Sequence, residues 1–140
     1  MENVRNLNGN LIIKKVAKHI IGGKFMNYRE NKMCIYVKIK FFEAKRMTKI
    51  SFSAGNYRPH FVIKNDSEYL GVQFVDGEDF VFEKEILGIV QPIYTETVDY
   101  GKLIQGAEFF ILEGKNLVGE GVVIEKCDEL FYCFLESKMV

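Results

Sequence analysis

The chain has no excess of either charge. Its 19 basic residues stand against 19 acidic ones, for a formal net charge of zero. Nucleic-acid binders draw much of their affinity from phosphate neutralisation, so this balance counts against a dedicated role of that kind and leaves room only for a local basic patch. No Gly-x-x-x-x-Gly-Lys-Ser/Thr loop is present to cradle nucleotide phosphates. Asn31-Lys32-Met33-Cys34 lacks the Asp that would complete a guanine-reading Asn-Lys-x-Asp. A GTPase is thereby excluded, and no nucleotide is expected. Gly119-Glu120-Gly121 has no third glycine and leads into a strand-like run, so it is not a dinucleotide loop. No apolar run approaches the ~20 residues that span a membrane. Leu11-Ile12-Ile13 is broken at once by Lys14-Lys15, which also argues against a signal peptide and a membrane partner.

Cysteine is scarce. Of the three, Cys127 and Cys133 have five residues between them, unlike the close paired spacing of a zinc site. All three read as reduced strand cysteines in a cytoplasmic protein.

Aromatic and β-branched residues are plentiful instead. Twelve Phe and seven Tyr raise the aromatic fraction to 14% within a hydrophobic fraction of 48%. That is too apolar for disorder and suits strands. At 140 residues the chain can bury roughly two thirds of its unfolded surface as one domain.

The first thirty residues differ from the rest. Asn10 reads as the cap of a helix over Leu11 to Ile21, with Ile12, Ile13, Val16, Ile20 and Ile21 as its apolar group and Gly22-Gly23 as its stop. A strand through Asn10 to Lys14 competes, but the three- and four-residue spacing of the apolar positions favours the helix. Residues 1–30 therefore form an appendage, and residues 31–140 a single β domain.

From Met33 onward the period is two. Ile35, Val37, Ile39 and Phe41 alternate with Tyr36, Lys38 and Lys40. A polar, basic loop is expected over Glu43 to Gly55. Strands follow over His60 to Lys64, Tyr69 to Val75 and Ile86 to Gln91, the last ended by Pro92. Phe80 to Phe82 is short and apolar. Glu108 to Glu113 and Leu117 to Glu125 form a hairpin around Gly114-Lys115-Asn116. Strands this short, with turns between them, indicate an all-β sandwich or barrel. The tail Leu130 to Leu135 carries Phe131, Tyr132 and Phe134, which are costly to leave bare in water. It is expected to pack on the domain or on a second copy, so self-association stays open.

Chemistry-bearing residues are few. His60 beside Cys34 or Cys127 would make a nucleophilic pair, and Asp76, Glu78 and Asp79 would suit a metal or paired carboxylates. The plainer readings are packing or surface roles for His60 and His19, and an ordinary Asp-Gly turn for the acidic group. No catalytic residue, metal or cofactor is assigned. An enzyme built on His60, Cys127 or the Asp76 turn remains an alternative. Lys45, Arg46, Lys49, Arg58 and Lys64 form the one local basic excess, with Phe52, Tyr57 and His60 interleaved. Basic and aromatic residues together suit RNA, and solvated lysines on a protein-binding surface give the same pattern.

Two blocks carry a family resemblance. Asn56-Tyr57-Arg58-Pro59-His60-Phe61 resembles the Gly-Tyr-Arg-Pro-Gln-Phe of the third domain of elongation factor Tu. Glu113-Gly114-Lys115-Asn116-Leu117-Val118-Gly119, with Gly121-Val122-Val123 after it, is similar to that domain's Glu-Gly-Gly-Arg-Thr-Val-Gly and Ala-Gly-Val-Val. Gln91-Pro92-Ile93 falls between them like its His-Pro-Ile. The resemblance covers about residues 33–126. It implies an antiparallel β-barrel of about six strands without the GTPase domain. It further implies a non-catalytic binding module whose partner is a protein, with the translation machinery as the candidate class, or RNA resembling transfer RNA. The surface it points to comprises Lys45, Arg46, Lys49, Tyr57, Arg58, His60, Lys64, Lys115 and Asn116. Here Asn56 replaces the family's Gly, His60 its Gln and Asn116 its Arg, and Glu83-Lys84-Glu85 stands where it has a Pro-Gly-Asp turn.

Overall fold

The computed structural model describes residues 33–127. The helix expected over Leu11 to Ile21 and the tail Leu130 to Leu135 lie outside them. Six strands form: β1 (Cys34–Phe41), β2 (His60–Ile63), β3 (Leu70–Gly77), β4 (Ile86–Pro92), β5 (Glu108–Glu113) and β6 (Asn116–Cys127). They close into an antiparallel barrel in the order β1-β4-β3-β2-β5-β6, with β6 returning to β1. Closure leaves no unpaired strand edge. Among the described residues no helix is long and apolar enough to cross a membrane.

The alternation along β1 decides which way the sheet faces. Ile35, Val37, Ile39 and Phe41 point inward and are fully buried, while Lys38 and Lys40 are half-buried on the outside. Phe61 of β2, Phe74 of β3 and Phe109 of β5 meet them from the other strands. Phe61 and Phe109 stack with centroids 4.0 Å apart. The interior is thus filled by side chains, as expected of a barrel this narrow.

The segment between β1 and β2 is more than a polar loop. Ile50 and Phe52 turn into the core, and Phe52 stacks on Phe74 at 4.6 Å. Phe80 closes the same end, 4.9 Å from Phe41, and Phe82 makes a single parallel bridge to Phe41. The opposite connection, between β4 and β5, buries Tyr100 and Leu103. The Tyr100 hydroxyl donates to the Gly71 carbonyl and accepts from the Tyr94 amide.

Closing a ring of six strands brings neighbouring backbones close, and β6 meets its neighbours closely at two glycines. Gly119 lies between Phe41 and Ile111, and Gly121 between Ile39 and Phe109. A Cβ at Gly119 would come within 2.5 Å of the Lys40 carbonyl oxygen, and one at Gly121 within 2.7 Å of that of Lys38. Backbone cannot yield as a flexible side chain can, so only glycine lets β6 approach this closely. Gly119→Ala is expected to cost about 1–3 kcal/mol through this overpacking. Urea denaturation checks it, and a midpoint equal to that of the wild type would contradict the close approach.

Candidate binding surface at the barrel rim

Tyr57 stands just before β2 with its ring in the core, 5.5 Å from Phe74 and 6.1 Å from Phe41. Its phenol reaches the rim and donates to Glu113 Oε2 at 2.6 Å. Glu113 is the last residue of β5. Arg46 Nε donates to the same oxygen, also at 2.6 Å. The guanidinium lies 5.4 Å from the Tyr57 ring centroid and donates as well to the carbonyl and hydroxyl oxygens of Thr48. One carboxylate therefore ties the loop after β1, the start of β2 and the end of β5 together. The pair is partly shielded, with the Arg46 side chain 18% exposed, so solvent weakens it less than a fully exposed ion pair.

The β5–β6 turn is fastened to the same loop. Asn116 Nδ2 donates to the Lys45 carbonyl at 3.2 Å, and the Phe42 amide donates to the Val118 carbonyl at 2.8 Å. Arg46, Tyr57 and Asn116 are thus joined at one rim, with Lys45 and Lys49 on the fastened loop and Lys115 in the turn. Lys45, Lys49 and Lys115 are exposed and form no ion pair among the described residues. Met47, between Arg46 and Thr48, is 96% exposed.

Arg58, His60 and Lys64 occupy a different surface, along β2. Arg58 is exposed. His60 meets Tyr69 edge-on with centroids 5.3 Å apart, and the Tyr94 ring covers Gly71 alongside. Lys64 Nζ sits 3.2 Å from Glu120 and 3.6 Å from Glu108, over the Phe110 ring. Its hydrogen bond to Glu120 is the main influence that raises its pKa. Two carboxylates thus offset the Lys64 charge.

The alternative chemistries find little geometric support. Cys34 lies on β1, opposite β2 in the ring, so His60 does not meet it. Gln91 Nε2 donates to the Cys34 sulfur at 3.6 Å instead. Asp76 and Glu78 accept from the backbone amides of Gly77 and Leu87 at 2.7 and 2.8 Å. Among the described residues no three His, Cys, Asp or Glu side chains gather as metal ligands.

Sequence reasoning missed Glu113 and Met47. A glutamate before a Gly-Lys turn reads as an ordinary solvated hairpin residue, and nothing local tells that an arginine 67 positions away will reach it. No protein-family model matches the chain, and no curated protein matches it.

Burial first, and then the Glu113 carboxylate that accepts its proton, push the Tyr57 phenol well above the usual 10.0. The folded protein therefore favours the neutral phenol. The stability it confers is intact below pH about 10 and is lost as pH rises beyond that, by up to about 1.4 kcal/mol per pH unit. Tyr57→Phe is expected to lose about 1–2 kcal/mol at neutral pH and to show a shallower alkaline decline than the wild type. Denaturation across alkaline pH checks this, and parallel declines would contradict it.

Proposed function

We propose that this domain is a non-catalytic binding module that engages an acidic protein surface through its rim. The observation that carries this reading is the combination of Met47, bare on a fastened loop, with three exposed lysines that no carboxylate among the described residues neutralises. Met is a frequent interface anchor because its flexible thioether adapts to irregular apolar pockets. Lysines around it steer an acidic partner toward the site. The loop is held to β2 and β5 before any partner arrives, so little ordering cost falls on binding.

At the rim, the disposition of aromatics favours protein over RNA, the exposed rings Tyr69 and Tyr94 lying instead on the β2 face. Base stacking needs an exposed ring beside the cations. Phe52 and Tyr57, which interleave with the basic residues in sequence, are buried in the core, and the Tyr57 phenol is occupied by Glu113. The filled interior leaves the outer surface as the place to bind. The likeness of the Tyr57-Arg58-Pro59 and Gly119-Glu120-Gly121 blocks to the third barrel of elongation factor Tu directs the search to translation components.

The test is capture from cell extract on the immobilised full chain, with and without ribonuclease. The combined variant Lys45→Glu, Lys49→Glu and Lys115→Glu is expected to lower partner retention at least about tenfold. Met47→Ala is expected to weaken the complex roughly 5–30-fold, about 1–2 kcal/mol. Ribonuclease leaves both results unchanged. Retention that survives the charge reversal, or bound material that ribonuclease removes, would overturn this reading.

A further inference from the structure

The outer wall of the barrel changes character around the ring. On β5, β6 and the second half of β1 it is charged, and Lys38, Lys40, Glu108 and Glu120 are half-buried or exposed there. On the first half of β1 and along β4 it is not. Tyr36, Leu87, Ile89 and Gln91 alternate with the core residues Ile35, Val37, Ile86 and Val90, so they face outward. Yet Tyr36, Ile89 and Gln91 are fully buried, and Leu87 is only 6% exposed. The register sets Tyr36 opposite Ile89, and Gln91 Nε2 donates to the Cys34 sulfur at 3.6 Å. The five residues form one continuous patch.

An outward-facing side chain is fully buried only when something lies over it. Among the described residues, β1 and β4 pack substantially only on the strands that flank them in the ring. The burial holds within a single chain, so the cover belongs to the same molecule and not to a second copy. We infer that the outer wall of β1 and β4 is a docking surface for the segment of this chain that precedes Met33.

Two stretches outside the described residues are available, 1–32 and 128–140. Position favours the first. It joins the barrel at β1, at the corner of the patch that Cys34 marks, and the patch extends from there onto β4. The later stretch leaves from β6, on the opposite flank of β1. Dimensions favour the first as well. Leu87 to Gln91 span about 13 Å along β4, at ~3.3 Å per residue. The eleven residues of the helix expected over Leu11 to Ile21 span about 16 Å. Residues 22–32 then bridge up to roughly 36 Å back to β1. Residues 1–32 are thus a part of the domain's wall rather than an appendage. This surface is separate from the rim and independent of any partner there.

The experiment uses the full chain with a photo-reactive residue in the patch, Tyr36→p-benzoylphenylalanine in one protein and Leu87→p-benzoylphenylalanine in another. Each is irradiated at low concentration, and its tryptic peptides are mapped by mass. The expected adducts join the labelled position to peptides from residues 1–32 within one chain. Adducts confined to residues 33–127 or to 128–140 would overturn the proposal. So would adducts between two chains, or no adduct from either position. In parallel, Ile89→Asp places a charge at the centre of the patch. It is expected to speed tryptic cleavage after Lys14, Lys15 and Lys18 at least about tenfold, with cleavage inside the barrel unchanged. Wild-type rates at those three lysines would also contradict the docking. The cross-links decide alone if Ile89→Asp fails to fold.

Discussion

One oxygen atom organises the rim. Glu113 Oε2 accepts from the Tyr57 phenol and from Arg46 Nε. Tyr57 extends inward from that point to the aromatic cluster of Phe41 and Phe74. Arg46 extends outward to Thr48. Core packing and rim shape are thereby linked through one side chain. Without Glu113, Arg46 would lose its ion pair and the buried phenol its acceptor, a costly state for a group so removed from water. The loop that carries Lys45, Met47 and Lys49 would then be held mainly by Asn116 and the inserted Phe52.

That node also sorts the basic residues. Arg46 is consumed in building the rim, and its charge is met by Glu113. Lys64 is offset on the outer face by Glu108 and Glu120. At the rim, Lys45, Lys49 and Lys115 are exposed and meet no carboxylate among the described residues, with Arg58 farther along toward β2. A chain with zero net charge can in this way present a basic surface. The barrel contributes stiffness, because a ring with no free edge and a filled interior gives its loops fixed anchor points.

Much of the barrel was legible in the sequence, for a physical reason. Period-two alternation survives wherever one strand face is wet, as Val37 to Phe41 shows, whereas Tyr36, expected on the outer face, is fully buried. Gly114-Lys115 announces its hairpin. The β1–β2 connection was not legible in the same way. Ile50 and Phe52 are isolated apolar residues in a polar stretch, and only a folded barrel shows that its end needs a plug. β3 runs on to Gly77, past the turn expected at Asp76, because its register slips between Phe74 and Asp76. Of the candidate surface, the residue types were legible and their grouping was not. Tyr57 and Arg46 share a partner, whereas His60 and Lys64 sit on the outer face of β2. Register decides such groupings, and register comes from long-range pairing.

The central claim is that the rim, and not the β2 face, meets a protein partner. Amide hydrogen exchange on the full chain, alone and with the captured partner, tests it most directly. The account predicts added protection over residues 43–49 and 114–116, with exchange along His60 to Lys64 unchanged. Protection centred on His60, Tyr69 and Tyr94, with the rim still exchanging freely, would contradict it.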